Sequence, residues 1–222
     1  MPVEYTGTPE ILYEDDGLLA LSKPAGVLVI PGRGGTDRES LVERLSRERS
    51  RKLFVVHRLD REASGLVLFA KDRESHRYLS GLFEARQVRK IYWAVVEGTV
   101  DKDGVIDRPV HAFGSGRMGV DDRGKPSETR FRVRERFPGA TWLEVEPLTG
   151  RRHQIRVHLY FAGHPLLGET RYGSRFPAGG VSRLMLHALK LVFPWRGTDS
   201  LEISCSPGDD FLGILKSLGG RP

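Results

Sequence analysis

The 222-residue chain reads as an α+β protein with a mixed, mostly antiparallel central sheet and flanking helices. Two observations predict this. Strand-like runs, short and rich in Val, Ile, Leu and aromatics, outnumber helix-like ones and do not alternate strictly with them as in a parallel α/β sheet. Several of these runs also alternate apolar with charged residues, the pattern of a strand with one solvated face. No repeat of 20–50 residues and no low-complexity linker divides the chain, so residues 1–222 are expected to form a single domain.

The elements follow in order. Ile11–Tyr13 and Leu18–Ser22 read as strands around the turn Glu14-Asp15-Asp16-Gly17, followed by the loop Lys23-Pro24-Ala25-Gly26. Thr36 to Glu39 has capping-box spacing and predicts a helix with Leu41 and Leu45 on one face. Leu53–His57 and Leu66–Ala70 are expected strands joined by the polar segment Arg58–Gly65. Asp72 suits the N-cap of a helix on which Leu79, Leu82, Phe83 and Arg86 share a side. Ile91–Val96 is a β-rich run stopped by Gly98. Arg130–Arg134 and Trp142–Glu146 alternate, with Leu143 and Val145 opposite Glu144 and Glu146. Arg152–Ala162 reads as a helix with Ile155, His158, Leu159 and Ala162 inward, ending at Gly163.

Composition excludes several classes. With 39% hydrophobic and 29% charged residues the chain is ordinary globular material. The single cysteine, Cys205, gives neither an internal disulfide nor a thiolate cluster for zinc. Apolar stretches such as Gly26–Ile30 and Leu66–Ala70 fall far below the ~18 residues of a membrane span. Glu4, Glu10, Glu14, Asp15 and Asp16 precede the first base, Lys23, unlike a targeting signal. A cytoplasmic monomer without membrane contact is expected.

The charge points to a polyanion. Lys+Arg 35 against Asp+Glu 29 gives +6. Residues 38–90 hold fourteen basic and eight acidic residues, and residues 141–196 hold eight and three. Two basic stretches of this kind suit a groove that follows phosphates.

Several motifs mislead. Gly114-Ser-Gly-Arg-Met-Gly119 spells the dinucleotide glycine pattern but leads into the turn residues Asp121, Asp122, Gly124 and Pro126 rather than a helix. Gly119 through Lys125 fits the phosphate-loop spacing, yet Pro126 stands where Ser or Thr should bind magnesium. Both read as one hairpin loop. His153 and His158, five apart, fall on different helix faces and make no metal pair, and His158 reads as a hydrogen-bonded packing residue. No cofactor and no metal is expected.

Two segments carry chemistry. His57-Arg58-Leu59-Asp60-Arg61-Glu62 sets a carboxylate between two arginines on a connection at a sheet edge, and loops on rigid strands are where sites concentrate. Pro147 through His158 offers Arg152, His153 and Arg156 along one helix side, with amide donors at its start suited to anions.

These residues resemble the RluA-type pseudouridine synthases. The resemblance rests on Ile11-Leu-Tyr-Glu-Asp-Asp with Lys23-Pro-Ala-Gly; Val56-His-Arg-Leu-Asp-Arg-Glu-Ala-Ser-Gly65; Arg89-Lys-Ile-Tyr-Trp-Ala94; Thr149-Gly-Arg-Arg-His-Gln-Ile-Arg-Val-His158 with Gly163-His-Pro165; and Arg183-Leu-Met-Leu-His-Ala188. The blocks keep the family's order over about residues 11–195. Ala63 stands where the family usually has Thr, and Arg152 where it has Thr or Ser. No S4-like RNA-binding domain is expected ahead of the catalytic blocks.

The resemblance implies a pseudouridine synthase fold and an isomerase that breaks the N1–C1′ bond of uridine and rejoins C5 to C1′, with no cofactor. It makes Asp60 the essential ionised group: a nucleophile at C1′ or at the uracil ring, or a base taking the C2′ proton to give a glycal. Arg156 is implied as its basic partner, which would lower the Asp60 pKa from ~4–6 Å. Tyr92 is implied to pack against the target base and assist proton transfer at C5. Leu186 would floor the pocket, with Leu184 the alternative. Arg58 would fill the stack left by a flipped uracil. Arg151, Arg152 and His153 are expected to bind substrate, the two arginines at phosphates. The expected partner is ribosomal or transfer RNA, at a loop or single-stranded uridine. The competing readings are an RNA-binding or RNA-folding protein with a vestigial pocket, and a metal-free hydrolase using Asp60 and His57.

Overall fold

The computed structural model describes residue 7 and residues 9–32, 39–173 and 181–220. Among these residues the chain forms β1 (Ile11–Glu14), β2 (Leu18–Lys23), α1 (Leu41–Glu48), β3 (Phe54–Val55), β4 (Ser64–Ala70), α2 (Arg73–Glu84), β5 (Arg89–Glu97) and β6 (Gly104–Asp107). It continues through β7 (Val110–Ala112), β8 (Met118–Val120), β9 (Glu128–Phe137), β10 (Ala140–Pro147), α3 (Gln154–Phe161), β11 (Leu186–Trp195), β12 (Thr198–Ser204) and α4 (Asp209–Ser217). The α+β class with mostly antiparallel pairing is as the sequence predicts. The chain falls into two compact units, Met1–Arg89 with Ala188–Ser206, and Lys90–His187 with Pro207–Pro222.

The first unit orders its strands β1-β2-β4-β11, with β3 on β4 and β12 on β11. Asp15 closes the β1–β2 turn: its Oδ1 accepts the Gly17 and Leu18 N–H groups at 2.8 Å, and its Oδ2 accepts the Trp195 indole N–H at 2.7 Å. Short carboxylates suit such turns because they can reach backbone amides two and three residues on. Leu66 through Ala70 are fully buried on both faces of β4, which is why this strand reads as one continuous apolar run. Asp72 caps α2 by accepting the Ser75 N–H at 2.8 Å. Leu79 and Leu82 then enter the core formed with Leu66, Leu68, Phe193 and Trp195, each such burial stabilising by about 1.5–3 kcal/mol.

The second unit orders its strands β5-β10-β9-β6, all antiparallel, and adds the separate hairpin β7–β8. Val145 pairs with both Tyr92 and Phe131, and Pro147 with Thr129, so Tyr92, Val145, Phe131 and Thr129 share one face. Helix α3 reaches this face, since His158 and Gln154 both hydrogen-bond the Thr129 hydroxyl. On the opposite face Phe211 and Leu215 of α4 pack with Val95, Trp142 and Met185.

Local expectations shift at element ends. The strand expected over Leu53–His57 is only Phe54–Val55, because beyond Val55 the chain leaves its partner β4. The capping box lies four residues later than read: Ser40 is the N-cap of α1, and its N–H and hydroxyl both donate to Glu43, at 2.9 and 2.7 Å. Thr36 lies outside the described residues. Arg86 is not on the α2 face with Leu79 and Leu82. The helix ends at Glu84, and Arg86 turns outward at φ 59° while Gln87 N–H closes on Leu82 O at 2.9 Å. Helix α3 starts at Gln154 rather than Arg152, since His153 sits at φ 54°, and Ala162 is exposed rather than inward. The glycine-rich stretch Gly114–Gly119 lies in the β7–β8 hairpin, as expected.

Candidate active site

Asp60 and Arg58 occupy the connection between β3 and β4. Leu59 is buried, while Arg58 is exposed and Asp60 half-buried, so the buried leucine anchors the connection between the two charged residues. The connection is tied down at both ends. His57 stacks on Phe83 at 4.7 Å between ring centroids, and its Nε2 accepts the Leu68 N–H at 3.0 Å. That bond occupies the imidazole nitrogen a hydrolytic base would use, so the Asp60–His57 hydrolase reading finds no support here. At the other end Ala63 N–H donates to Asp60 O at 3.2 Å, and Ala63 is buried.

The middle of the connection is held by a residue to which the sequence reading gave no role. Lys23 is fully buried, and its Nζ donates to the carbonyls of Pro24, Val27 and Arg61 at 2.8, 2.9 and 3.3 Å. Gly26 N–H donates to Arg61 O at 2.7 Å, and Arg61 Nε donates back to Gly26 O at 3.0 Å. The Lys23–Gly26 loop therefore clamps the segment that carries Asp60. The only sequence signal was its presence in a family-like block. Gly65 completes the anchoring: at φ 111° its missing Cβ would stand 2.3 Å from Ala188 O, so only glycine admits the close approach of that backbone.

Arg58 makes no hydrogen bond, ion pair or ring contact among the described residues, and the ion pair with Glu62 that would have explained it as a surface charge is not formed. An exposed, unattached guanidinium two residues from the carboxylate is available to a ligand.

Arg156 is 1% exposed on α3. Its Nε and Nη2 donate to the two carboxylate oxygens of Glu169 at 2.8 and 2.7 Å, a bidentate fork that fixes the guanidinium plane. Burial alone would push the Glu169 carboxyl up, but the Arg156 bonds and charge, with the Arg171 and Tyr172 amides, hold it below its ordinary range. Glu169 was not foreseen, because it lies thirteen residues along and outside the helix. Tyr92, half-buried on β5, lies on the sheet face that α3 covers, so the fold brings Tyr92 and Arg156 to one side of the second unit. Leu186 and Leu184 are both buried in that unit, and burial does not choose between them.

The segment before α3 differs from the expectation. Arg152 and His153 precede the helix instead of lining it. Gln154 Oε1 accepts both the Arg151 N–H at 3.0 Å and the Thr149 hydroxyl at 2.7 Å, so the Arg151 amide at the helix start is used internally rather than offered to an anion. Arg152 Nη2 donates to Gly116 O at 2.9 Å in the β7–β8 hairpin. Arg151 Nη2 reaches Pro126 O at 3.5 Å, and its buried Nε has no hydrogen-bond partner among the described residues. His153 Nδ1 is hydrogen-bonded to the Tyr172 hydroxyl. His158 is the packing residue expected: Nε2 donates to Arg108 O and Nδ1 meets the Thr129 hydroxyl, both at 2.9 Å. Among the described residues no group of three or more His, Cys, Asp or Glu could hold a metal ion, and no helix is long and apolar enough to cross a membrane.

The fold with these side chains matches a class of RNA-modifying isomerases. The chain superposes on the human RNA pseudouridylate synthase domain containing 4 with a TM-score of 0.77 at 26% identity, covering 94% of this chain and 92% of that one. In sequence it is 40% identical over 220 residues to the ribosomal large subunit pseudouridine synthase C of Vibrio vulnificus, covering 94% of this chain and 69% of the relative. It is also 40% identical over 228 residues to the ribosomal large subunit pseudouridine synthase D of Nitrosomonas europaea, covering 96% and 66%. The chain thus spans about two thirds of the length of these relatives. The class is that of the RNA pseudouridine synthases. Residues 17–160 match the family model described as RNA pseudouridylate synthase, and the chain belongs to that family.

Proposed function

We propose that this chain isomerises uridine to pseudouridine in ribosomal RNA, as one catalytic domain without a cofactor, with Asp60 as the essential carboxylate. The observation that carries the reading is the family match across residues 17–160, a span that includes Arg58, Asp60, Tyr92, Arg151, Arg152, His153 and Arg156. The relatives' names supply the ribosomal substrate. Transfer RNA is the second substrate class to test. The reaction conserves every atom of the nucleoside, so it needs an ionised group, a shielded base and a cation, and no redox carrier.

In this reading Asp60 attacks C1′ or the uracil ring, or takes the C2′ proton. Arg156, its plane set by Glu169, is the cation that the reaction needs. Tyr92 lies against the base, over the floor formed by Leu186 or Leu184. Arg58 replaces the flipped uracil in the stack, which offsets an unstacking cost of about a few kcal/mol. Arg151 is the phosphate contact in this reading, while Arg152 is already engaged at Gly116. The protein acts as a monomer in the cytoplasm, where its RNA is.

The test is to map pseudouridine in total RNA from cells with and without the gene, and with Asp60→Asn in its place. One or more sites should vanish in both altered strains. If the Asp60→Asn strain retains every site, Asp60 is not the essential group. If deletion removes none, the chain is not the synthase proposed.

A further inference from the structure

We propose that Lys52, Arg73 and Arg77, set beside the rings of Phe54 and His76, hold phosphates of the RNA strand that continues past the flipped uridine. The inference rests on the proposed action on RNA and deepens it by giving the flanking nucleotides a path. Residues 52–58 lead from the exposed Lys52 to the exposed Arg58 of the candidate site, a reach of at most about 20 Å. Helix α2 lies beside this segment and is joined to it by two ring pairs. His57 stacks on Phe83 next to Arg58, and farther out the Phe54 and His76 centroids lie 5.5 Å apart. His76 Nε2 also donates to Val55 O at 3.2 Å, which fixes the outer pair. The whole strip belongs to the first unit.

Positive charge gathers at its outer end. Lys52 Nζ lies 5.2 Å from the Phe54 centroid, within cation–π range, so the ring orders the ammonium without neutralising it. Arg73 and Arg77 are one turn apart on α2, and His76 shares the side of Arg73 at a spacing of three. Both arginines are exposed, and neither they nor Lys52 form an ion pair among the described residues, although Glu74 and Glu84 stand on the same helix. The arginines of α1 and its C-cap behave differently: Arg44 pairs with Glu48, Arg47 with Glu39 and Arg49 with Glu14.

The fold therefore neutralises one basic group and leaves the other open. Three open cations in line with Arg58 match the charge of a single RNA strand leaving the site. Such contacts carry affinity and its salt dependence, with a slope of about 0.7 per phosphate on single strands.

The experiment measures Kd against salt concentration for the full chain and two triple variants. One is Lys52→Gln with Arg73→Gln and Arg77→Gln; the other is Lys52→Arg with Arg73→Lys and Arg77→Lys. Each is tested on a ribosomal RNA fragment that the wild type converts, with about eight nucleotides on either side of the target, and on the same target with about two. The glutamine variant should bind the long RNA on the order of tenfold more weakly, with the salt slope reduced by about 2, and bind the short RNA as the wild type does. The charge-retaining variant should recover most of the long-RNA affinity. With 4-thiouridine placed at successive flanking positions, the wild type should crosslink within residues 52–77.

An unchanged slope and Kd on the long RNA overturn the proposal, as does an equal loss on both RNAs or crosslinks confined to other residues. If the strip fails these tests while pseudouridine still forms, the proposed function stands without it. Should the wild type convert no fragment, the proposed function fails, and the slopes on ribosomal fragments that it binds still decide whether the strip holds RNA.

Discussion

Glu169 holds the buried Arg156 guanidinium by a bidentate pair, so a change at this single residue tests the role proposed for Arg156. Glu169→Gln leaves a buried guanidinium facing a neutral amide, and breaking a buried pair this way costs about 3–5 kcal/mol. Thermal denaturation should show a clear fall in Tm together with a reduced rate. Glu169→Asp, which keeps the charge but shortens the reach, should lose less of both. At Asp60, Asp60→Asn should abolish pseudouridine formation while leaving the thermal midpoint within a few degrees, since the loop is held by Lys23, His57 and Leu59 rather than by the carboxylate alone. Arg58→Ala should leave stability unchanged because Arg58 holds no partner among the described residues, yet slow conversion of a structured RNA more than of an unstructured oligonucleotide. A fluorescent base analogue at the target position would report the flipping step directly.

The connection around Asp60 and helix α3 each depend on a buried polar clamp. Lys23→Met removes three carbonyl bonds and should raise hydrogen exchange across residues 57–63 before it lowers global stability. For α3 the clamp is Thr149, Gln154, Thr129 and His158. Burial holds the His158 pKa below its ordinary value, so the neutral ring is the one the fold accepts. A group whose folded pKa is depressed binds fewer protons in the native state. Its stabilisation is complete above the unfolded value near 6.5 and is lost as pH falls through the lowered folded value. Glu169, also held low, works in the same direction at more acid pH. Melting temperatures measured from pH 7.5 downward should fall on the acid side of about 6.5, and His158→Gln should flatten the first part of that slope.

Across the whole molecule, the +6 charge makes RNA association salt-dependent, and the logarithm of the binding constant should fall linearly with that of the salt concentration. The class of fold was legible because binary patterning is local: Asp15 in its turn, Asp72 at its cap, and the alternation through Leu143 to Glu146 all behave as their sequence neighbours require. Asp60, Arg58 and Arg156 could likewise be singled out from short segments and the family they resemble. The sequence by itself therefore determined the element types and the family and singled out the candidate residues, since each of these readings draws on short runs of adjacent positions. Glu169 beneath Arg156, Tyr172 between Arg117 and His153, the Lys23 clamp on the Asp60 loop and the capture of Arg152 by the hairpin were decided only by the tertiary structure. Each joins residues 13 to 55 positions apart, and no local periodicity specifies which buried charge will find which partner once the chain has closed.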